Sequence, residues 1–424
     1  MLVLQVAPEK THFVLEGRPF FYLADTVWSA FTSVTEEEWK EYLEYRRLQG
    51  FNALQINVLY QWDASVPYLR FPFKRNEQGG YSSFQIDETY FDFAEKLLEL
   101  ATQRGFIPAL VLLWCNFVPD TWASQRGIPM VMPFETMERY VEYVVQRFKR
   151  FSPIFIISGD TNFGSRETVR YYLKALEIVK SLAPQALTTF HLQPQADLPE
   201  DILHSPYLDF YTYQSGHGKA EQHFPYVLGE KFSTLTPQRP VVNAEPCYEG
   251  HPYGFTRENR FRALDVRKAV WQSLLSGASA GVTYGAHGIW CWHRKGAEFR
   301  GVEFSGEPLE WRVALALDGA WDVALAKFII EHFRLFGLKP AQDMVVTQNP
   351  EIRAAVTSDG KTTVVFLPSP QSLSLKPNGT AWEDVWGVDL EERRFFRPDV
   401  CCKGEVVEIG ALPANHDYLL VFTR

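Results

Sequence analysis

The chain has 424 residues, 46% hydrophobic and 22% charged, with a formal net charge of −9. That length accommodates one large domain and one small one, with core enough to need no staples. The acidic balance and the lack of a long basic stretch argue against nucleic acid and anionic membrane surfaces as partners, and no apolar run approaches the ~20 residues of a membrane span.

β-Rich apolar runs alternate with helical patterns from about Phe20 to Arg334. Strands are predicted over Phe20–Thr26, Phe51–Leu59, Phe106–Trp114, Pro153–Asp160, Ala186–Leu192, Tyr207–Gln214, Arg239–Glu245 and Gly281–Trp290. Thr35 and Glu38 form a capping-box pattern that opens a helix running to Gly50, a suitable stop. Asp87–Arg104, Met132–Lys149, Glu167–Ser181 and Arg262–Ser276 repeat the helical spacing. Eight strand–helix alternations predict an α/β fold, a (β/α)8 TIM barrel over 1–338. A doubly wound sheet is disfavoured, because Asp25-Thr26-Val27-Trp28 stands where a glycine-rich phosphate loop belongs. After Pro340 the pattern shortens to alternating strands, Ala354–Thr357, Thr362–Leu367, Ala381–Asp389, Arg393–Arg397 and Asp417–Thr423. These predict a small antiparallel β-sandwich over 341–424.

Two of the barrel runs end on a carboxylate. Val241-Val242-Asn243-Ala244-Glu245 stops at Pro246, and Ile154–Gly159 runs into Asp160. Carboxylates at the C-terminal ends of strands four and seven sit at a barrel's catalytic face, and hydrolysis of a glycosidic bond needs such a pair. Polar and aromatic residues collect at the same predicted face: Asp25, Trp28, Asn57, Tyr60, Trp62, Trp114, Asn116, Asn162, His191, Gln193, Tyr213, Gln214, His217, Tyr284, His287 and Trp290. Amides, imidazoles and phenols suit sugar hydroxyls, and indoles suit the apolar faces of sugar rings. A carbohydrate partner is therefore expected. Histidines lack short ligand spacing and the chain has no Gly-x-Ser-x-Gly elbow, so neither a metal, nor another cofactor, nor a serine nucleophile is expected. Five scattered cysteines argue against a disulfide framework. Met1–Val6 lacks the features of a secretion signal, from which a cytoplasmic location is expected. Oligomeric state is not legible.

The segments Phe20–Trp28, Gly50–Gln55, Ser158–Asn162, Ala244–Pro246 and Arg267–Trp290 together resemble the apiosidase-like glycoside hydrolases, and Asp389–Val421 resembles that family's small C-terminal β-domain. The resemblance implies glycosidase activity on plant-type oligosaccharides by a retaining mechanism, with Glu245 as nucleophile and Asp160 as acid/base. An inverting mechanism on the same carboxylates, or sugar binding without turnover, are the alternatives. A barrel-supporting role is expected for the tail.

Overall fold

The computed structural model describes residues 3–75, 84–126, 130–254, 259–377, 382–410, 412 and 415–424. Eight parallel strands form the central sheet: β1 (Tyr22–Thr26), β2 (Ala53–Asn57), β3 (Ile107–Trp114), β4 (Ile154–Gly159), β5 (Thr188–Thr189), β6 (Tyr211–Gln214), β7 (Val241–Glu245) and β8 (Gly281–Tyr284). They pair in the order β6-β7-β8-β1-β2-β3-β4-β5. The remaining seam, between β5 and β6, is closed partly by side chains. Thr189 Oγ1 donates to the Phe210 carbonyl at 2.8 Å, the Asp209 N–H reaches the Thr188 carbonyl at 3.1 Å, and Thr212 Oγ1 donates to the Phe190 carbonyl. The result is the predicted TIM barrel.

Helices alternate with the strands and cover the outside. The Thr35–Glu38 capping box forms as read, opening α1 (Glu36–Leu48). The helices α2 (Glu88–Thr102), α3 (Phe134–Phe148), α4 (Arg166–Leu182) and α6 (Ala263–Leu275) fall where the spacing placed them, and α5 (Phe224–Ser233) and α7 (Gly319–His332) complete the wall. Strand eight is shorter than predicted. It stops at Tyr284, and from Ala286 the chain coils, with the Ile289 and Trp290 N–H groups turning back to the Ala286 carbonyl. The first predicted strand is split. Arg18–Phe20 joins Leu4–Val6 and Phe13–Leu15 in a separate antiparallel sheet. Phe13 of that sheet is fully buried and packs edge-on against Phe210, 5.1 Å between centroids.

Beyond the barrel, a six-stranded antiparallel sheet faces a three-stranded one (Leu373–Leu375, Val400–Lys403, Val406–Ile409). Alternation along Tyr418–Thr423 explains its two-sided packing. Tyr418, Leu420 and Phe422 enter the core between the sheets, while Leu419 and Val421 join the barrel's core. Polar anchors reinforce the contact. Arg267 on α6 holds Asp417 through Nε and Nη2 (2.8–3.1 Å) and Asp322 on α7 through Nη1 at 2.9 Å. Of the predicted strand Ala381–Asp389, Ala381 lies outside the described residues and the strand occupies Asp384–Asp389. Among the described residues, no helix is long and apolar enough to cross a membrane.

Candidate active site

A cavity of about 430 Å³ opens at the C-terminal ends of the strands. Its acidic lining comprises Asp63, Asp160, Glu221 and Glu245, and its aromatic walls include Trp28, Trp62, Trp114, Trp122, Tyr248 and Trp290. Larger surface grooves elsewhere lack this convergence of carboxylates and indoles.

Glu245 is the last residue of β7, and the barrel interior holds that strand end in place. Gln55 Nε2 and Thr283 Oγ1 both donate to the carbonyl of Ala244, at 3.0 and 2.7 Å. The Glu245 carboxylate then receives donors from strands five and six. His217 Nε2 lies 2.9 Å and Gln214 Nε2 3.1 Å from Oε1. His191 Nε2 lies 3.0 Å from Oε2, off the line of a well-directed hydrogen bond, so its contribution is mainly the attraction of an N–H dipole for the carboxylate. Burial favours the neutral acid, but the two imidazoles outweigh it and hold Glu245 down at about 2.

Asp160 follows β4 immediately, in the left-handed region at φ 50°. Asp tolerates that conformation better than most side chains. There its N–H donates to His191 Nδ1 at 3.1 Å, and its carbonyl accepts from Trp122 Nε1 at 2.7 Å. The carboxyl oxygen Oδ1, by contrast, is buried with no hydrogen-bond partner among the described residues. Burial, then the charges of Glu245 and Asp63, push Asp160 well above the usual carboxylate range. Asp63 is the third acid. Burial pushes it up to about 6, although Gln61 Nε2 donates to its Oδ1 at 2.8 Å.

Glycines let the aromatic walls approach the strands. A Cβ on Gly159 would stand 2.2 Å from the Trp114 ring, and one on Gly285 would stand 2.0 Å from the Tyr248 ring. Trp114 stacks on His191 at 5.9 Å, and Trp28 meets both rings edge-on. Trp28 Nε1 also donates to the Tyr248 hydroxyl at 3.2 Å.

Of the residues expected to contact a ligand, Trp28, Trp62, Trp114, Gln214, His217 and Trp290 line the cavity, with Asp160 and Glu245. The others serve different ends. Asp25 is fully buried behind the sheet, paired with Arg46 at 2.6 Å and with the Tyr42 hydroxyl at 2.7 Å on α1. Tyr213 and Tyr284 also point away from the cavity, their hydroxyls donating to the Pro225 carbonyl (2.8 Å) and to Glu249 Oε2 (2.6 Å). Tyr60 packs among Tyr68, Phe71 and Phe117. Asn57 is buried and acts at one remove, donating to Gln61 Oε1 at 3.1 Å, while Asn162 accepts the Trp122 N–H at 2.9 Å and so seats that indole. Asn116 is fully buried, His191 touches Glu245 from beneath Trp28 and Trp114, and His287 is buried behind Trp290. Gln193 joins the backbone network after β5 through its N–H to the Thr161 carbonyl. Sequence reasoning missed Asp63, Trp122, Glu221, Tyr248 and His251. All five come from the connections beyond the strand ends, Trp122 and Glu221 on single helical turns within them, too short for periodicity to carry a signal.

A TIM barrel with a carboxylate-lined, indole-walled cavity at this face has the architecture of a glycoside hydrolase. The chain belongs to the apiosidase-like catalytic-domain family, whose model matches residues 9–337, and is a glycosidase. Its fold is similar to a solved structure described as a glycoside hydrolase, at 20% identity and TM-score 0.82 over 99% of this chain and 96% of the other. It is equally similar to a family 5 glycoside hydrolase from Bacteroides vulgatus ATCC 8482, at 22% identity and TM-score 0.81 over 99% and 93%. No curated protein matches the sequence.

Proposed function

We propose that the protein is a retaining glycoside hydrolase acting on plant-type oligosaccharides, with Glu245 as nucleophile and Asp160 as acid/base. The observation that carries this reading is the opposite displacement of two carboxyls in one cavity. Imidazole donors hold Glu245 below the usual carboxylate range, and burial and the charge of Glu245 push Asp160 well above it. Carboxyls whose environments push them apart in this way divide naturally into base or nucleophile and acid.

In the first step Glu245 attacks the anomeric carbon while Asp160 gives its proton to the departing oxygen. The resulting ester carries no charge on Glu245. The repulsion that kept Asp160 protonated then falls away, and Asp160 can take a proton from the incoming water in the second step. Trp28, Trp114 and Trp290 offer stacking surfaces, and Gln214 positions the nucleophile from the side. The segment 341–424 serves as a supporting module for the barrel, a role favoured by the buried Arg267–Asp417 pair.

Proton NMR of the first-formed sugar tests the mechanism. Retention of anomeric configuration is expected, whereas inversion assigns the same carboxylates to a single displacement. Asp160→Asn should slow substrates with poor leaving groups far more than activated aryl glycosides, and an equal loss on both would remove Asp160 as the acid.

A further inference from the structure

Four imidazoles surround the cavity, and their hydrogen bonds fix where each carries its proton. His191 and His217 each accept a backbone N–H at Nδ1, from Asp160 (3.1 Å) and Tyr248 (3.3 Å), so both keep their proton on Nε2, toward Glu245. His287 accepts the Trp290 Nε1–H at Nδ1 (3.1 Å) and turns Nε2 to the Gly306 carbonyl (3.2 Å). His251 is reversed. Its Nδ1 lies 2.7 Å from the Pro252 carbonyl, which can only accept, so the proton sits on Nδ1 and Nε2 is a bare lone pair.

That Nε2 has no hydrogen-bond partner among the described residues. Yet the ring is only 4% exposed and it lines the cavity. Burial, followed by the neighbouring His217 and His287, holds the ring's pKa well below the ordinary value, so it stays neutral. Unlike His191 Nε2, His251 Nε2 is reached by solvent, so a water or a ligand in the cavity can complete it. The ring stacks on His217 at 4.5 Å and 25°, which places it one imidazole away from the Glu245 carboxylate.

We propose that His251 is a specificity-determining residue whose Nε2 accepts a hydrogen bond from one hydroxyl of the bound sugar. The ligand class is a sugar with a free hydroxyl at that position. A deoxy or O-methyl sugar has no proton to give, and the acceptor is then left unpaired. The inference rests on the hydrolase reading and adds to it a contact outside the two carboxylates.

The test is a cycle between substrate and protein. The nitrophenyl pentoside or hexoside that the wild-type protein hydrolyses is compared with its monodeoxy and mono-O-methyl derivatives, in wild type, His251→Phe and His251→Gln. One position should cost wild type about ten- to hundredfold in kcat/KM. That penalty should vanish in His251→Phe, which keeps the ring stack, and persist in part in His251→Gln, which keeps an acceptor. Penalties that are unchanged in His251→Phe overturn the proposal. If His251→Phe does not fold, the imidazole nitrogen spectrum of Glu245→Gln saturated with the same glycoside decides. The bare His251 nitrogen should shift on binding, and an unchanged resonance overturns the assignment. A wild-type protein that hydrolyses no glycoside defeats the hydrolase reading instead, and the same cycle is then read as Kd by titration calorimetry.

Discussion

His191 joins the two catalytic candidates through one ring: its Nδ1 accepts the N–H of Asp160 and its Nε2 faces Glu245 Oε2 at 3.0 Å. The left-handed turn at Asp160 therefore sets the tautomer that keeps Glu245 ionised. The two carboxyls are coupled through backbone as well as through charge.

Replacing His191 with Phe should leave the aromatic packing largely intact but remove one of Glu245's donors. The Glu245 pKa, held at about 2, should rise toward the ordinary carboxylate value. The acidic limb of the kcat/KM profile on an aryl glycoside should move to higher pH. An acidic limb that does not move would show that His191 does not hold the Glu245 carboxylate.

Carbon-detected NMR of the Asp160 carboxyl should find it titrating well above the normal range in wild type. In Glu245→Gln the neighbouring charge that helps raise it is gone, so the titration should shift to lower pH. The same titration in both proteins would mean that the carboxyls do not sense one another.

Glu249 offers a pH prediction for stability rather than rate. It is buried, accepts from the Tyr284 hydroxyl and the Gly319 N–H, and burial raises its pKa to about 7. Because the folded value lies above the unfolded one, its contribution to stability is complete below about 4.5 and is lost as pH rises through about 7. The amount is on the order of a few kcal/mol. Glu249→Gln keeps one oxygen for both donors and should flatten the fall in Tm between those limits. An equally steep fall in the variant would place the titrating group elsewhere.

Much of this architecture was legible in the chain, and what was not has a physical cause. Capping at Thr35–Glu38 and the β-rich runs located the barrel, and the two strand-end carboxylates fall in one cavity. The strands of a parallel barrel are buried on both faces, so no polar alternation shows which residues point inward. Asp25, Tyr213 and Tyr284 were therefore expected at the cavity, although they face the surrounding helices. His251 and Asp63 reach the site from loops whose path depends on tertiary contacts such as the Ser65–His293 hydrogen bond.

Gly159→Ala tests the aromatic wall. The new Cβ would lie 2.2 Å from Trp114, so the indole or the strand must move. Such overpacking costs about 1–3 kcal/mol, visible as a lowered Tm, and kcat/KM should fall with it because Asp160 is the next residue. Unchanged activity would separate the Trp114 wall from catalysis.

Arg267→Met tests the support given by the C-terminal segment. It leaves Asp417 and Asp322 buried with their shared cation removed. A loss of about 3–5 kcal/mol in denaturant unfolding is expected, read on the full chain. A loss below about 1 kcal/mol would make the network incidental to stability.

The central claim, that Glu245 is the nucleophile of a double displacement, is tested most directly by trapping the intermediate. The protein is incubated with the 2,4-dinitrophenyl 2-deoxy-2-fluoro derivative of the sugar it hydrolyses, and the labelled peptide is mapped by mass spectrometry. The account predicts one glycosyl group attached to Glu245. A label on a different carboxylate would contradict it, as would release of inverted sugar from the natural substrate with no adduct formed.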